Sequence, residues 1–144
     1  MDFTTAIRTC FQKYATFSGR AQRSEYWYFV LFVVLGGVVF GLIDAILLGW
    51  ASNNPQLLGP VFSLATFLPN LAAAVRRLHD TDRSGWWILL VLIPLIGWIV
   101  LIVWYASRGT DGANRFGPDP LGGTSGGGEV FLHRSSIPSV RRRD

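Results

Sequence analysis

Three runs free of Lys, Arg, Asp and Glu divide this chain: Tyr26 to Ile43, Leu57 to Val75, and Trp86 to Tyr105. A helix rises about 1.5 Å per residue and a bilayer's hydrocarbon core is about 30 Å thick, so roughly 20 apolar residues span it. Lipid offers no hydrogen-bond partner to bare backbone, which makes helix the required form. The pattern predicts an all-α membrane protein with spans at about 26–48, 57–75 and 86–106. A soluble bundle is disfavoured, because buried soluble helices rarely carry charge-free runs this long. Ahead of the first run, Phe3, Ile7, Cys10, Phe11, Tyr14 and Phe17 recur at spacings of three and four, while Arg8, Gln12 and Lys13 fall elsewhere. That period predicts an N-terminal amphipathic helix, lying on the membrane surface or packing on the protein's own spans.

The third run carries Ile93-Pro94-Leu95-Ile96-Gly97 at its middle. Proline lacks a backbone donor and kinks or breaks a helix. A kinked full span is expected, the alternative being a re-entrant segment, which would need cover from the rest of the protein. Charge sets the orientation. Arg8, Lys13, Arg20 and Arg23 precede the first run, Arg76, Arg77 and Arg83 separate the second from the third, and Arg108 and Arg115 follow. The loop between the first two runs has no basic residue. With three spans, a cytoplasmic N-terminus puts seven of these inside and two outside, as the positive-inside rule requires. The first run reads as a span and not as a cleavable leader, since a charged segment precedes it and it exceeds a leader's apolar region.

Small residues Gly37, Gly41, Ala45 and Gly49 recur every four positions and form a smooth packing stripe. It is expected to meet another span of the same chain, with a homodimer as the alternative. Asp44 beside it is expected at the outer interface, and Asn70 is a candidate interhelical hydrogen-bonder.

Composition adds little to this. Of 144 residues half are hydrophobic, and 13 basic against 9 acidic residues leave a net charge of +4. One cysteine, Cys10, excludes an internal disulfide. The domain is expected to occupy 1–120, with 121–144 a disordered tail rich in Gly, Ser and Arg. Its Arg141-Arg142-Arg143 is too short to argue nucleic-acid binding.

The densest chemistry lies in Arg76-Arg77-Leu78-His79-Asp80-Thr81-Asp82-Arg83. If the second helix continues through it, Arg76, His79, Asp80 and Arg83 share a face, Arg76 pairs with Asp80, and Arg77 points away toward lipid headgroups. The expectation is an ionic latch or headgroup contact formed by Arg20, Arg23, Glu25, Arg76, Arg77, His79, Asp80 and Arg83. A metal site is not expected, because the other His is His133 in the tail and neighbouring arginines oppose a cation. No cofactor motif and no catalytic residue is identified.

Gly19-Arg20 with Arg23-Ser24-Glu25-Tyr26-Trp27, Arg76-Arg77-Leu78-His79-Asp80, Ser84-Gly85-Trp86-Trp87, Ile93-Pro94 with Gly97, Gly109-Thr110, and Asn114-Arg115-Phe116-Gly117-Pro118-Asp119-Pro120 resemble domain-of-unknown-function family 805, the YhaH/YhaI-like proteins. The resemblance covers about residues 1 to 120. It implies a small protein of the bacterial inner (plasma) membrane and supplies no activity, cofactor or catalytic residue. Three classes of function then compete. The first is a non-enzymatic membrane module that engages anionic lipid or a protein partner through a basic cytoplasmic face. The second is an oligomeric small transporter or channel, for which three spans are few. The third, an enzyme, is disfavoured by the absent motifs.

Overall fold

The computed structural model describes residues 1–48 and 56–122. Four α-helices and one 3₁₀ helix make up the fold, with no strand among the described residues. Helix α1 spans Phe3–Gln12, and Asp2 caps it by accepting from the Thr5 amide at 3.1 Å. Its inner face buries Ala6 and Cys10. Phe3 meets Tyr28 edge-on, and Phe11 meets Phe29 and Phe32 the same way, so α1 packs on the protein's own first long helix. Arg8 and Lys13 lie on its exposed side.

Helices α2 (Arg23–Leu48, 26 residues) and α3 (Leu58–Asp80, 23 residues) run antiparallel. Both are long and apolar enough to cross a membrane. Their outward faces leave Val34, Val38, Leu42, Ile46, Leu64 and Phe67 exposed, as lipid-facing surface would. The second helix extends past Val75 to include the charged run as far as Asp80.

Two polar contacts anchor α3 in the bundle, one to α2 and one to the turn after α1. Asp44, near the end of α2, is buried and accepts from the Leu58 and Gly59 amides at 3.1 and 2.9 Å. It thereby serves the orphan donors of the α3 N-terminus, where a negative charge is favoured by the helix dipole. Inside α3, Pro69 has no N–H to offer the carbonyl four residues back. That carbonyl belongs to Ala65, and the Tyr14 hydroxyl donates to it at 2.7 Å. Asn70 does not act as expected: its Oδ1 is buried with no partner among the described residues.

The packing stripe is also corrected. The close approach to α3 is made by Gly36, where a Cβ would collide with the Phe62 ring. Gly37 and Gly41 face open space, and Ala45 lines the same shallow groove as both. Gly37 and Gly41 lie one position away from the α2–α3 contact, and nothing covers them among the described residues. Gly49 lies outside the described residues, as does the tail from 123 onward.

The third apolar run does not form one continuous helix. It forms a 3₁₀ helix over Gly85–Leu92 and then α4 over Ile96–Ala106. At about 2.0 Å and 1.5 Å per residue, each arm reaches roughly 16 Å, half a hydrocarbon core. Between them Leu95 adopts φ 65° and ψ −70°, and Ile96 N–H bonds the Pro94 carbonyl at 2.9 Å, a γ-turn that reverses the chain. Gly97 lies so close to the Leu90 carbonyl that a Cβ would collide with it. Trp98 Nε1 donates to the Val91 carbonyl across the arms at 2.8 Å. The run therefore doubles back, and both its ends lie at the charged end of α3.

Candidate functional site

Five charged side chains, with His79 beside them, are buried together where the helices end: Arg20, Glu25, Arg76, Arg77 and Asp80. Asp80 is the hub. One carboxylate oxygen takes Arg20 Nε at 2.9 Å, and the other takes Arg77 Nη1. Its backbone carbonyl accepts from the Thr110 amide at 2.8 Å, and Gly109 lies so close to the carboxylate that a Cβ there would collide with it.

Both arginines then continue into the C-terminal segment. Arg20 donates to the carbonyls of Thr110 at 2.6 Å and Gly112 at 2.5 Å. Arg77 donates from Nε to the Tyr105 carbonyl at 3.0 Å and from Nη2 to that of Ser107. Trp27 Nε1 shares the Tyr105 carbonyl at 3.2 Å. Tyr105 and Ser107 stand at the C-terminus of α4, where orphan carbonyls concentrate partial negative charge. Three arginines against two carboxylates leave one excess positive charge, and these carbonyls are placed to absorb it.

Arg76 takes a separate route. It pairs with Glu25 through Nη1, while its buried Nε and Nη2 have no partner among the described residues. Its backbone carbonyl accepts from Ala21 N–H at 3.0 Å. Cys10 lies against the same carboxylate, its Sγ 4.0 Å from Glu25 Oε1. Burial, reinforced by the Glu25 charge, pushes the Cys10 thiol up to about 11. The thiol therefore stays protonated near neutral pH and lacks the thiolate character of a reactive cysteine.

Two sequence expectations change. The local pair on α3 is Arg77–Asp80, three residues apart, and Arg76 reaches instead to Glu25. Arg77 is fully buried, so it is not a headgroup contact in this conformation. Of the remaining candidates, Arg23 is exposed, and Arg83 lies 4.5 Å over the Trp104 ring. His79 donates from Nδ1 to the Gly19 carbonyl at 3.1 Å and stacks flat on Phe116 at 3.9 Å. Gly19 holds φ +84°, a conformation that suits glycine in this turn.

Sequence reasoning assigned no role to residues 109–119, a stretch dense in turn-forming Gly, Asn, Asp and Pro. Asn114 Nδ2 donates to the His79 carbonyl at 2.8 Å, and Arg115 pairs with Asp82 at 3.2 Å. Asp119 accepts from the Leu121 and Gly112 amides, and these bonds hold its carboxyl below the usual carboxylate range. The signal available was the density of Gly, Asn and Asp around Arg115-Phe116, which marks an ordered turn as readily as a linker. No group of three His, Cys, Asp or Glu arranged for a metal occurs among the described residues.

A family described as "Protein of unknown function (DUF805)" matches residues 14–118, a stretch that contains every buried charge above. This chain belongs to the DUF805 family. Its relatives include inner membrane protein YhaH of Escherichia coli K12, 49% identical over 110 residues, which are 76% of this chain and 90% of YhaH. Inner membrane protein YhaI of the same strain is 48% identical over 114 residues, 79% of this chain and 93% of YhaI. No solved structure matches. With DUF805 relatives named as inner membrane proteins and two helices able to span, this chain is a bacterial inner-membrane protein.

Proposed function

We propose that this protein is a non-enzymatic, multi-pass membrane module that engages anionic lipid through a basic cytoplasmic face. In this reading α2 and α3 cross the bilayer, the Gly85–Ala106 hairpin enters and leaves on the cytoplasmic side, and both described ends are cytoplasmic. The observation that carries the reading is the bonding of Thr110, Gly112, Tyr105 and Ser107 to Arg20 and Arg77. It joins the segment after the third run to the N-terminal face. All nine basic residues outside the tail then fall on one side, a stronger bias than three spans would give.

The labour among those cations is divided. Arg20, Arg76 and Arg77 form the internal latch with Glu25 and Asp80, and Arg8, Lys13 and Arg23 remain at the surface. Each surface cation near an acidic membrane contributes about 1 kcal/mol of attraction.

The test places the full chain in nanodiscs of mixed lipid carrying spin-labelled phosphatidylglycerol or phosphatidylcholine. Phosphatidylglycerol is expected to be the more immobilised, with the preference falling in high salt and in an Arg8→Gln/Lys13→Gln/Arg23→Gln variant. Equal immobilisation of the two lipids, insensitive to salt, would defeat the reading.

A further inference from the structure

A groove of about 450 Å³ runs between the turn before α2, the flank of α3 and the start of the 3₁₀ helix. We propose that it holds one acyl chain of a phosphatidylglycerol molecule, with the glycerol headgroup hydrogen-bonded to His79 Nε2 and Ser84. The proposal deepens the lipid-binding reading above by giving it a defined site.

The walls are Phe17, Leu71, Val75, Trp86 and Ile88, all apolar in their contact surface. The volume falls within the range of roughly 300–1,000 Å³ usual for small-ligand sites. The groove opens sideways, since Trp86 is 79% exposed on its rim, and Trp86 begins the apolar hairpin. A ligand thus enters from the bilayer and not from water. His79 and Ser84 make one part of its lining polar. His79 spends its Nδ1 proton on the Gly19 carbonyl, so in the neutral ring Nε2 is a bare acceptor. That nitrogen faces Gly85: a Cβ on Gly85 would sit 3.4 Å from it and 2.6 Å from Val75 Cγ1. The glycine keeps this corner open. Ser84 Oγ accepts from the Trp86 amide at 3.4 Å, which leaves its hydroxyl proton to donate.

An apolar slot with one acceptor and one donor calls for an amphiphile whose head both gives and takes a hydrogen bond. The charges nearby select among such heads. Arg83 and Arg115 against Asp82, with which Arg115 pairs, leave one positive charge in excess: Arg115 covers Phe116 at 4.7 Å, and Phe116 stacks on His79, while Arg83 precedes Ser84 directly. An anionic phosphate bearing a hydroxylated glycerol satisfies both requirements. A choline head has no proton to donate, and an ethanolamine head brings a further cation to a basic corner.

Native mass spectrometry of the full chain in mild detergent, titrated with phosphatidylglycerol, phosphatidylethanolamine or phosphatidylcholine of matched chains, tests this. One phosphatidylglycerol is expected to be retained per chain, about tenfold more tightly than phosphatidylcholine. Leu71→Trp and Ile88→Trp fill the groove from opposite walls, and each is expected to weaken retention by about tenfold. As a second measurement, brominated phosphatidylglycerol is expected to quench the emission difference between the native chain and Trp86→Phe. Unselective retention, unchanged retention in folded fillers, or an unquenched Trp86 overturns the proposal. Arg8→Gln/Lys13→Gln should leave the single retained lipid in place, which separates this site from the diffuse attraction of the surface cations.

Discussion

Asp80 holds three separate stretches of chain at one point: the turn at Arg20, the end of α3 at Arg77, and the backbone of Gly109-Thr110. Removing one partner from a buried charge cluster leaves the others desolvated and unpaired, at a cost of about 3–5 kcal/mol. Asp80→Asn should therefore lower the unfolding stability in detergent by that order. Asp82→Asn, two residues away, removes a carboxylate that is half exposed beside Arg115 and should cost about 1 kcal/mol or less. Equal melting shifts for the two variants would show that the Asp80 pairs contribute no more than surface ones. That Arg20, Glu25, Arg76, Arg77 and Asp80 gather at one end of the helices was legible from charge placed at both helix bases. The pairing was not. Arg76 and Arg77 are adjacent and 100° apart on the helix, and which of them faces Asp80 depends on where α2 and α4 lie.

At the scale of elements, the hairpin Gly85–Ala106 is held by close backbone contact as much as by apolar packing. Gly97→Ala would push a methyl into the Leu90 carbonyl and force the arms apart, with an overpacking cost of about 1–3 kcal/mol or more. Gly41→Ala, with nothing near its Cβ position, should melt like the native chain. A thermal scan of both variants in the same detergent checks the pair, and matching destabilisation would refute the close contact. Length and apolarity alone read this run as a span, since 20 charge-free residues satisfy that rule in either geometry. What distinguishes them is the reversal at Pro94-Leu95 and a side chain, Trp98, that reaches the Val91 carbonyl and so spares it from facing lipid bare. Pro94 and Gly97 were visible as a break, but the direction taken after it was set by tertiary contact with α3.

For the whole molecule, the hairpin makes a prediction about sidedness. A reporter fused after Pro120 should give a cytoplasmic signal, the same as one fused at the N-terminus. A periplasmic signal would restore a third crossing and remove the bonds of Arg20 and Arg77 to the C-terminal segment. The all-helical class and the two long helices follow from the hydrophobic pattern, because lipid leaves the backbone few other solutions. The docking of residues 109–119 was illegible, because turn-forming residues give the same local signal whether their carbonyls face water or guanidinium groups.

The bond from Tyr14 to Ala65 has a bearing on assembly. Until α1 closes over the bundle, α3 carries a gap in its hydrogen-bond ladder that proline has opened and that lipid cannot fill. The turn that follows the N-terminal helix therefore completes another helix's backbone. A chain lacking residues 1–14 would keep both long helices and still be unfinished at its centre, so maturation of the bundle waits on a segment ahead of α2 folding back over one made later.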